Sequence, residues 1–261
     1  MPDLQSAYRA NHSTETAVLR VLSDILDALN RSDFTVLTLL DISAAFDMVD
    51  CATLLRHLQT THGITGTALV WFSSYLHERK ISVHYRGTSS TPSSLLCEVK
   101  QGSVLGPILF LLHTADLLGF NEDMLLHPHL YSDDTQICGF CVSAEVSDLQ
   151  QRFSTYVNRV SKWMQANCLQ LNAAKTELLW CAPPKQQDRL PNVALRISSY
   201  SVQLVTYVPE LGIYIDRDVS MRTHITRIVS NCFSALRQLQ SIRRSVSQPV
   251  LLSLVMSLIL T

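Results

Sequence analysis

His129-Leu-Tyr-Ser-Asp-Asp-Thr-Gln-Ile-Cys138 sets two adjacent carboxylates, Asp133 and Asp134, between two short arms of apolar and β-favouring residues. The pattern predicts a tight hairpin with both acids at its tip. Adjacent acids among apolar side chains repel each other and lose hydration, costs that a bound cation offsets. An Asp-Asp pair alone is most often an ordinary polar turn. The weight therefore falls on what accompanies it.

Thr35-Val-Leu-Thr-Leu-Leu40 reads as a strand covered on both faces, and it ends in a third acid, Asp41. Carboxylates converging from separate strands are the hard oxygen ligands that Mg²⁺ takes. Two-metal phosphoryl transfer uses a pair of such ions, about 3.5–4 Å apart. Around these acids the chain alternates helices and strands. A first helix is expected over 12–30, with Ser13 or Thr14 as cap and Val18, Val21, Leu22, Ile25, Leu26 and Leu29 as its apolar stripe. Residues 43–63 read as mostly helical, and 66–76 as a helix with Leu69, Phe72 and Leu76 along one side.

A hairpin follows, Ile81, Val83 and Tyr85 alternating on one arm and Leu95, Cys97 and Val99 on the other. Residues 108–118 are apolar enough for a buried helix with Pro107 at its first position. Ser147-Asp-Leu-Gln150 has the form of a capping box opening a long helix through Leu149, Phe153, Val157, Val160 and Met164. The Pro-rich segment 182–191 reads as a loop, 202–216 as strand and 221 onward as helix. Strands split by helices in this order indicate an α+β fold.

With 261 residues and 47% hydrophobic content the chain can bury a sizeable core, and disorder is excluded. Seven cysteines without framework spacing, and no secretory leader pattern, point to reduced thiols in an intracellular protein, nuclear or cytoplasmic, with no disulfide partner. The apolar run 250–260 is broken by serines and shorter than the ~20 residues that span a bilayer, so it reads as a buried helix. The net charge of −1 weighs against strong nucleic-acid binding, although Arg79, Lys80 and Arg86, and again Arg237, Arg243 and Arg244, permit local basic faces. Cys138-Gly-Phe-Cys141 has metal or redox spacing but no second pair, and His127-Pro-His129 lacks partners; both read as structural.

Four stretches in order, Leu40-Asp-Ile-Ser-Ala-Ala-Phe-Asp47, Gln101-Gly-Ser-Val-Leu-Gly-Pro107, Tyr131-Ser-Asp-Asp-Thr-Gln136, and Trp163 with Asn167-Cys-Leu-Gln-Leu-Asn172 and Lys175-Thr-Glu177, resemble the palm motifs of reverse transcriptases from LINE-type (non-LTR) retrotransposons. Gln5-Ser-Ala-Tyr-Arg9, His12-Ser-Thr-Glu-Thr16, Leu211-Gly-Ile213 and His224-Ile225 extend the resemblance over nearly the whole chain. It implies a polymerase palm, an antiparallel sheet backed by helices, that performs RNA-directed DNA synthesis from an RNA template, a DNA primer and dNTPs, away from membranes. It implies two Mg²⁺ ions, with Mn²⁺ as a substitute, on Asp41, Asp133 and Asp134, Asp41 and Asp133 contributing most directly.

Phe46 would be the gate against a ribose 2′-hydroxyl, or a core Phe, or both. Gln101, Gly102 and Ser103, with Tyr131, would lie against nucleotide and template, or form a strand-to-helix turn. Lys175 would meet the leaving pyrophosphate, or be a solvated lysine at a helix end. Leu211 and Gly212 match a primer grip. Ser132, Ala7, Tyr8 and Cys51 stand where family members usually have Ala, Gly, Phe and His.

The resemblance divides the chain into a fingers remnant with palm (1–220) and the start of a helical thumb (221–261), and implies truncation at both ends. A second reading is an inactive relic that holds metal or nucleic acid weakly. A third is an α+β domain with accidental matches. Convergence of Asp41, Asp133 and Asp134 on one sheet separates the third from the others.

Overall fold

The computed structural model describes residues 4–95, 97–120, 124–172, 174–191, 195–197 and 200–259. Helix α1 (Thr14–Asn30) starts at a capping box in which the side chains of Ser13 and Thr16 each accept the other's backbone N–H. Strand β1 (Phe34–Leu40) follows, then α2 (Cys51–Thr60) and α3 (Gly66–Leu76). Four two-residue strands form the next connection: β2 (Lys80–Ile81) pairs with β5 (Ser93–Ser94), and β3 (His84–Tyr85) with β4 (Thr88–Ser89). Then come α4 (Leu105–Thr114), β6 (His127–Tyr131), β7 (Asp134–Cys141), α5 (Val146–Ala166) and β8 (Glu177–Cys181). The remainder holds β9 (Leu195–Ile197), β10 (Tyr200–Val205), β11 (Tyr207–Glu210), β12 (Ile213–Asp216), α6 (Arg222–Ile242) and α7 (Gln248–Ile259).

The main sheet has strand order β6-β7-β1-β8-β10-β9, antiparallel except for the parallel β8–β10 pair. Strand β1 lies inside it and is buried on both faces, as its unbroken apolar run requires. Phe34, Val36 and Leu40 face a core built with Leu54, Leu58, Phe110, Leu149, Phe153 and Val157, whereas Leu37 packs with Val21 and Ile25 of α1 and with Val208 and Ile215. Helices α2, α4 and α5 thus cover one face, and α1 with the β11–β12 hairpin covers the other. Gly139 lets α5 approach β7 closely, because a Cβ there would collide with the Phe153 ring and lie 2.9 Å from Leu149 Cδ1. A hydrogen bond of 3.0 Å between His129 Nε2 and Asp24 Oδ2 ties α1 to β6.

The α+β expectation holds, and the helix over 66–76, the acid hairpin and the strands within 202–216 form where the pattern puts them. Several local expectations need correction. Residues 43–49 form turns rather than helix, because Phe46 O and Val49 O accept from Val99 N (2.8 Å) and Glu98 N (2.9 Å) instead of from helical amides. Asp50 then caps α2 through Thr53 N at 2.7 Å. Pro107 is the third residue of α4, not the first. The 147–150 capping box is absent because α5 already starts at Val146. The 182–191 loop contains a 3₁₀ turn, Pro184–Arg189, in which Gln187 Oε1 accepts from Arg217 Nε at 2.6 Å.

The apolar run at 250–260 is helical but not buried: Leu252, Met256 and Leu258 are more than half exposed, and Leu260 lies outside the described residues. No helix among the described residues is long and apolar enough to cross a membrane. Cys138 and Cys141, three apart on one strand, point into opposite cores and cannot share one ion.

Candidate active site

The site is assembled by strand register. β1 and β7 run antiparallel from Phe34↔Cys141 to Leu40↔Thr135, so the next facing positions are Asp41 and Asp134. Asp133 sits between β6 and β7, whose last pair is Tyr131↔Asp134. The tight turn needs a left-handed residue, supplied by Ser132 at φ 61°. Buried Gln5 clamps that turn: its Oε1 accepts from Ser132 N at 3.1 Å and Ala7 N at 2.9 Å, while its Nε2 donates to Ser132 O at 3.4 Å. Neighbouring backbone bonds, Ser6 N to Leu130 O (2.8 Å) and Leu130 N to Leu4 O (3.0 Å), hold the N-terminal segment along β6.

Asp41 is held by its backbone. Its carbonyl accepts from Asn172 N at 2.8 Å, Ser43 N donates to Gln170 O at 2.9 Å, and Ile42 bridges Leu171. The segment after α5 therefore embraces the acid and brings Lys175 Nζ to 3.9 Å from Asp41 Oδ2. Both side chains of that pair reach solvent, which makes it weak. Asp41, Asp134, Lys175, Glu177, Glu210 and Leu211 line a cleft of about 340 Å³. Partial desolvation, then the charges of Asp133 and Asp41, hold the Asp134 carboxyl above the usual carboxylate range although the side chain reaches solvent.

Glu210 is a functional candidate that the sequence motifs do not mark. It is 2% exposed, its Oε1 has no hydrogen-bond partner among the described residues, and burial, reinforced by Asp134, pushes its carboxyl up to about 8. The signal for it lies in the alternation: Val208 and Glu210 share the inward face of β11, where a carboxylate is out of place. Burial likewise raises Glu177, which belongs to a motif that assigns it no role. Gln5 too stands in a motif without a role, and its action as a clamp is visible only across 127 residues of separation.

Of the other expected site residues, only Leu211 lines the cleft among the described residues. Gly102 takes φ 79° in the exposed turn before α4, with Gln101 exposed beside it. Ser103 Oγ donates to Lys100 O at 2.7 Å and accepts from Gly106 N at 2.9 Å, the bonding of a turn that opens a helix, although among the described residues no strand leads directly into it, since β5 ends at Ser94. Phe46 packs against Phe110 with ring centroids 4.8 Å apart and planes tilted by 30°, so it packs as a core residue whatever else it does. Tyr131 is half-buried at the end of β6. Leu211 and Gly212, at φ 42° and 95°, form the β11–β12 turn, and Leu211 reaches the cleft.

The three acids are hard oxygen donors gathered at one end of one sheet, with the repulsion recorded in Asp134 and an unpartnered carboxyl oxygen on Glu210. This donor chemistry fits a divalent cation. No group of three or more His, Cys, Asp or Glu among the described residues forms a ready metal cage. Mg²⁺ is commonly held by one or two carboxylates completed by substrate phosphates and water, so an all-protein cage is not required.

Residues 1–191 match the family described as Reverse transcriptase (RNA-dependent DNA polymerase). The chain is 27% identical over 252 residues to "Probable RNA-directed DNA polymerase from transposon BS" of Drosophila melanogaster, covering 92% of this chain and 26% of the relative. It is 29% identical over 239 residues to "RNA-directed DNA polymerase from mobile element jockey" of the same species, covering 87% and 25%. The chain thus spans about a quarter of the length of the curated relatives it matches. Among solved structures, telomerase from Candida albicans in complex with the TWJ fragment of telomeric RNA superposes with a TM-score of 0.55 at 13% identity, over 83% of this chain and 35% of that one. Apo telomerase from Candida tropicalis, truncated from the C-terminal domain, gives 0.54 at 13% identity, over 82% and 40%. These structural likenesses bear out the palm fold, and the mobile-element relatives bear out the LINE-type resemblance. With a family match covering more than half its length, the chain belongs to the reverse transcriptase (RNA-dependent DNA polymerase) family.

Proposed function

We propose that the chain is the fingers-remnant and palm region (1–220) and the first thumb helices (221–261) of a LINE-type retrotransposon reverse transcriptase, joining dNTPs to a DNA primer 3′-hydroxyl on an RNA template. The observation that carries this reading is the facing of Asp41 and Asp134 across the β1–β7 pair, with Asp133 in the adjoining turn. Asp41, Asp133 and Asp134 are the residues that hold divalent cations, Mg²⁺ or in substitution Mn²⁺. When bound, these ions polarise the triphosphate and make the 3′-hydroxyl a better nucleophile.

The chain's own residues do the rest. The β1–β7 ladder and the Gln5 clamp fix where the three carboxylates stand, which matters because misplacement by about 1 Å costs roughly a hundredfold in rate. Lys175, at the mouth of the cleft, supplies positive charge or a proton to the departing pyrophosphate. Leu211 and Gly212 form the wall against the primer end. The turn at Gln101, Gly102 and Ser103, together with Tyr131, bounds nucleotide and template, and Phe46 excludes a 2′-hydroxyl.

Primer extension on poly(rA)/oligo(dT) with Mg²⁺ tests the proposal. The parent should extend, and an Asp133→Ala, Asp134→Ala double variant should lose about a thousandfold or more, the several kcal/mol that metal catalysis supplies. A folded parent that extends nothing overturns the catalytic reading in favour of an inactive palm.

A further inference from the structure

Strand β8 loses one neighbour before it ends. The parallel β8–β10 register runs from Gln203↔Glu177 to Val205↔Leu179, and one step further, beside Trp180, β10 has ended. The carbonyl of Thr206 accepts from Arg217 N at 3.1 Å instead of joining β8. Past Cys181 the chain folds back toward this gap. Ala182 N donates to Arg217 O at 3.3 Å, and Gln187 of the 3₁₀ turn is tied to the same arginine. Its Nε2 donates to Arg217 O at 3.0 Å, while Arg217 donates from Nε to Gln187 Oε1 at 2.6 Å and from Nη2 to Gln187 O at 3.1 Å. The gap is thereby roofed rather than filled. It is a cavity of about 380 Å³ whose walls include Trp180, Leu190, Pro191, Leu204, Val205 and Arg217.

A space of this size, with mostly apolar walls and a few polar groups, is that of a small-molecule site. The polar groups say which kind of molecule. Trp180 is 4% exposed, and its buried Nε1 has no hydrogen-bond partner among the described residues. Such a donor calls for an acceptor, and the cavity beside it is where one can sit. Arg217 commits two N–H groups to Gln187, keeps the remaining donors of its guanidinium, and has no ion-pair partner among the described residues. Asp188, the carboxylate among the lining residues, is exposed, so water and salt screen it. A donor and a positive charge among apolar walls disfavour both a free cation and a wholly apolar guest. They match an anion with an apolar body.

We propose that this cavity binds a small amphipathic anion, its ring or chain against Leu190, Pro191 and Leu204, and its carboxylate or similar oxyanion head accepting from Trp180 Nε1 and Arg217. The cavity shares no lining residue with the acid cleft, so its ligand is independent of polymerase activity.

The test is isothermal titration calorimetry of the whole chain, in EDTA and without nucleic acid, with naphthoate and uncharged naphthylmethanol as probes and a thermal midpoint for every variant. The parent should bind one naphthoate per chain about tenfold more tightly than the alcohol, the difference a charge-assisted hydrogen bond makes. Arg217→Gln should erase that preference, and Arg217→Lys should keep part of it, since an ammonium retains the charge but not the fork. Trp180→Phe keeps an aromatic wall without the N–H and should weaken naphthoate about fivefold. Leu190→Phe fills the cavity and should abolish binding of both probes without lowering the thermal midpoint. Should Arg217→Gln lower the midpoint by loosening Gln187, the Trp180 and Leu190 variants, which leave those bonds in place, decide. No saturable naphthoate binding by the parent overturns the site, as does equal affinity for the two probes, or unchanged naphthoate affinity in Leu190→Phe. Naphthoate binding by a chain that extends no primer keeps the site and removes the polymerase reading, while extension without naphthoate binding does the reverse.

Discussion

The hairpins β6–β7 and β11–β12 both bring a carboxylate to one cleft and both turn on left-handed residues, yet they are fastened by different means. β7 is stitched to β1 along its whole length, and the turn beyond it is clamped by Gln5. β11–β12 is a separate two-stranded sheet, held by Val208 and Ile215 in the core and by Arg227 from α6. A backbone ladder fixes position cooperatively, whereas side-chain anchors give way one at a time. The ladder is therefore expected to make the acid tip the more rigid of the two, and the Leu211–Gly212 tip the more adjustable.

The largest expected effect that sharpens this contrast comes from Glu210, the inward carboxyl of the less firmly held hairpin. Its carboxyl is raised to about 8 from the ordinary 4.5, so below pH 4.5 folded and unfolded chains both carry the proton. As pH rises from 4.5 towards 8 the unfolded chain ionises freely while the folded chain resists, and stability falls through that window by up to about 1.4 kcal/mol per unit. Above about 8 both states are ionised and the slope ends. Asp134 and Glu177, also raised, steepen the acid end, while Lys175 and Asp41 are the other charges lining the cleft. Urea midpoints in EDTA between pH 5 and about 8 should show this decline in the parent and a much flatter profile in Glu210→Gln. Equal slopes in the two proteins would mean that the hairpin opens enough to hydrate Glu210.

Gln5 tests the rigid side. Gln5→Ala leaves Ser132 N and the buried Ala7 N without their acceptor, at a cost of about 1–3 kcal/mol. Because the acids ride on that turn, primer extension should fall about a hundredfold, more than any increase in unfolded protein explains. Gln5→Glu keeps an acceptor for both amides but sets a buried carboxylate beside Asp133 and Asp134 and opposite Ser132 O, so it should recover little of the activity. Loss of activity that merely follows the thermal midpoint would reduce Gln5 to a packing residue.

Much of this site is legible in the sequence because its acids sit where local patterns end. Asp41 closes an apolar strand, and Asp133 and Asp134 interrupt two β arms, so period and punctuation place them at strand ends, while the ordered resemblance to reverse transcriptase motifs marks them as a site. The β1–β7 register is not given by the pattern, because β1 is apolar on both faces and a one-residue slip would exchange one leucine for another between the two cores. What stays hidden depends on distant partners. Residues 43–49 have a helical composition, but the carbonyls of Phe46 and Val49 find amides at Val99 and Glu98, a tertiary pairing that overrides local preference. The Gln5 clamp and the hold of Arg227 on the β11–β12 hairpin are likewise long-range side-chain contacts, for which the chain carries no periodic signal. Glu210 is readable in principle, as an acid on an inward position, but the stronger turn signal of the adjoining Leu211-Gly212 masks it.

The smallest effect concerns the two tips themselves. Gly212 holds φ 95° with nothing within 4 Å of the place a Cβ would take, so Gly212→Ala meets no clash and the cost is conformational, about 1 kcal/mol. Ser132 holds φ 61° with a side chain already present, and Ser132→Gly should relieve a cost of similar size while loosening the unfolded chain, leaving stability within about 0.5 kcal/mol of the parent. If the acid tip is the rigid one, Ser132→Gly keeps primer extension close to the parent's, because the β1–β7 ladder and Gln5 still define the turn. Gly212→Ala, acting on a tip with no such ladder, should raise the KM for primer–template more than it lowers kcat. The reverse ranking, with Ser132→Gly the more damaging to extension, would mean that the acid turn owes its position to Ser132 itself rather than to the sheet behind it.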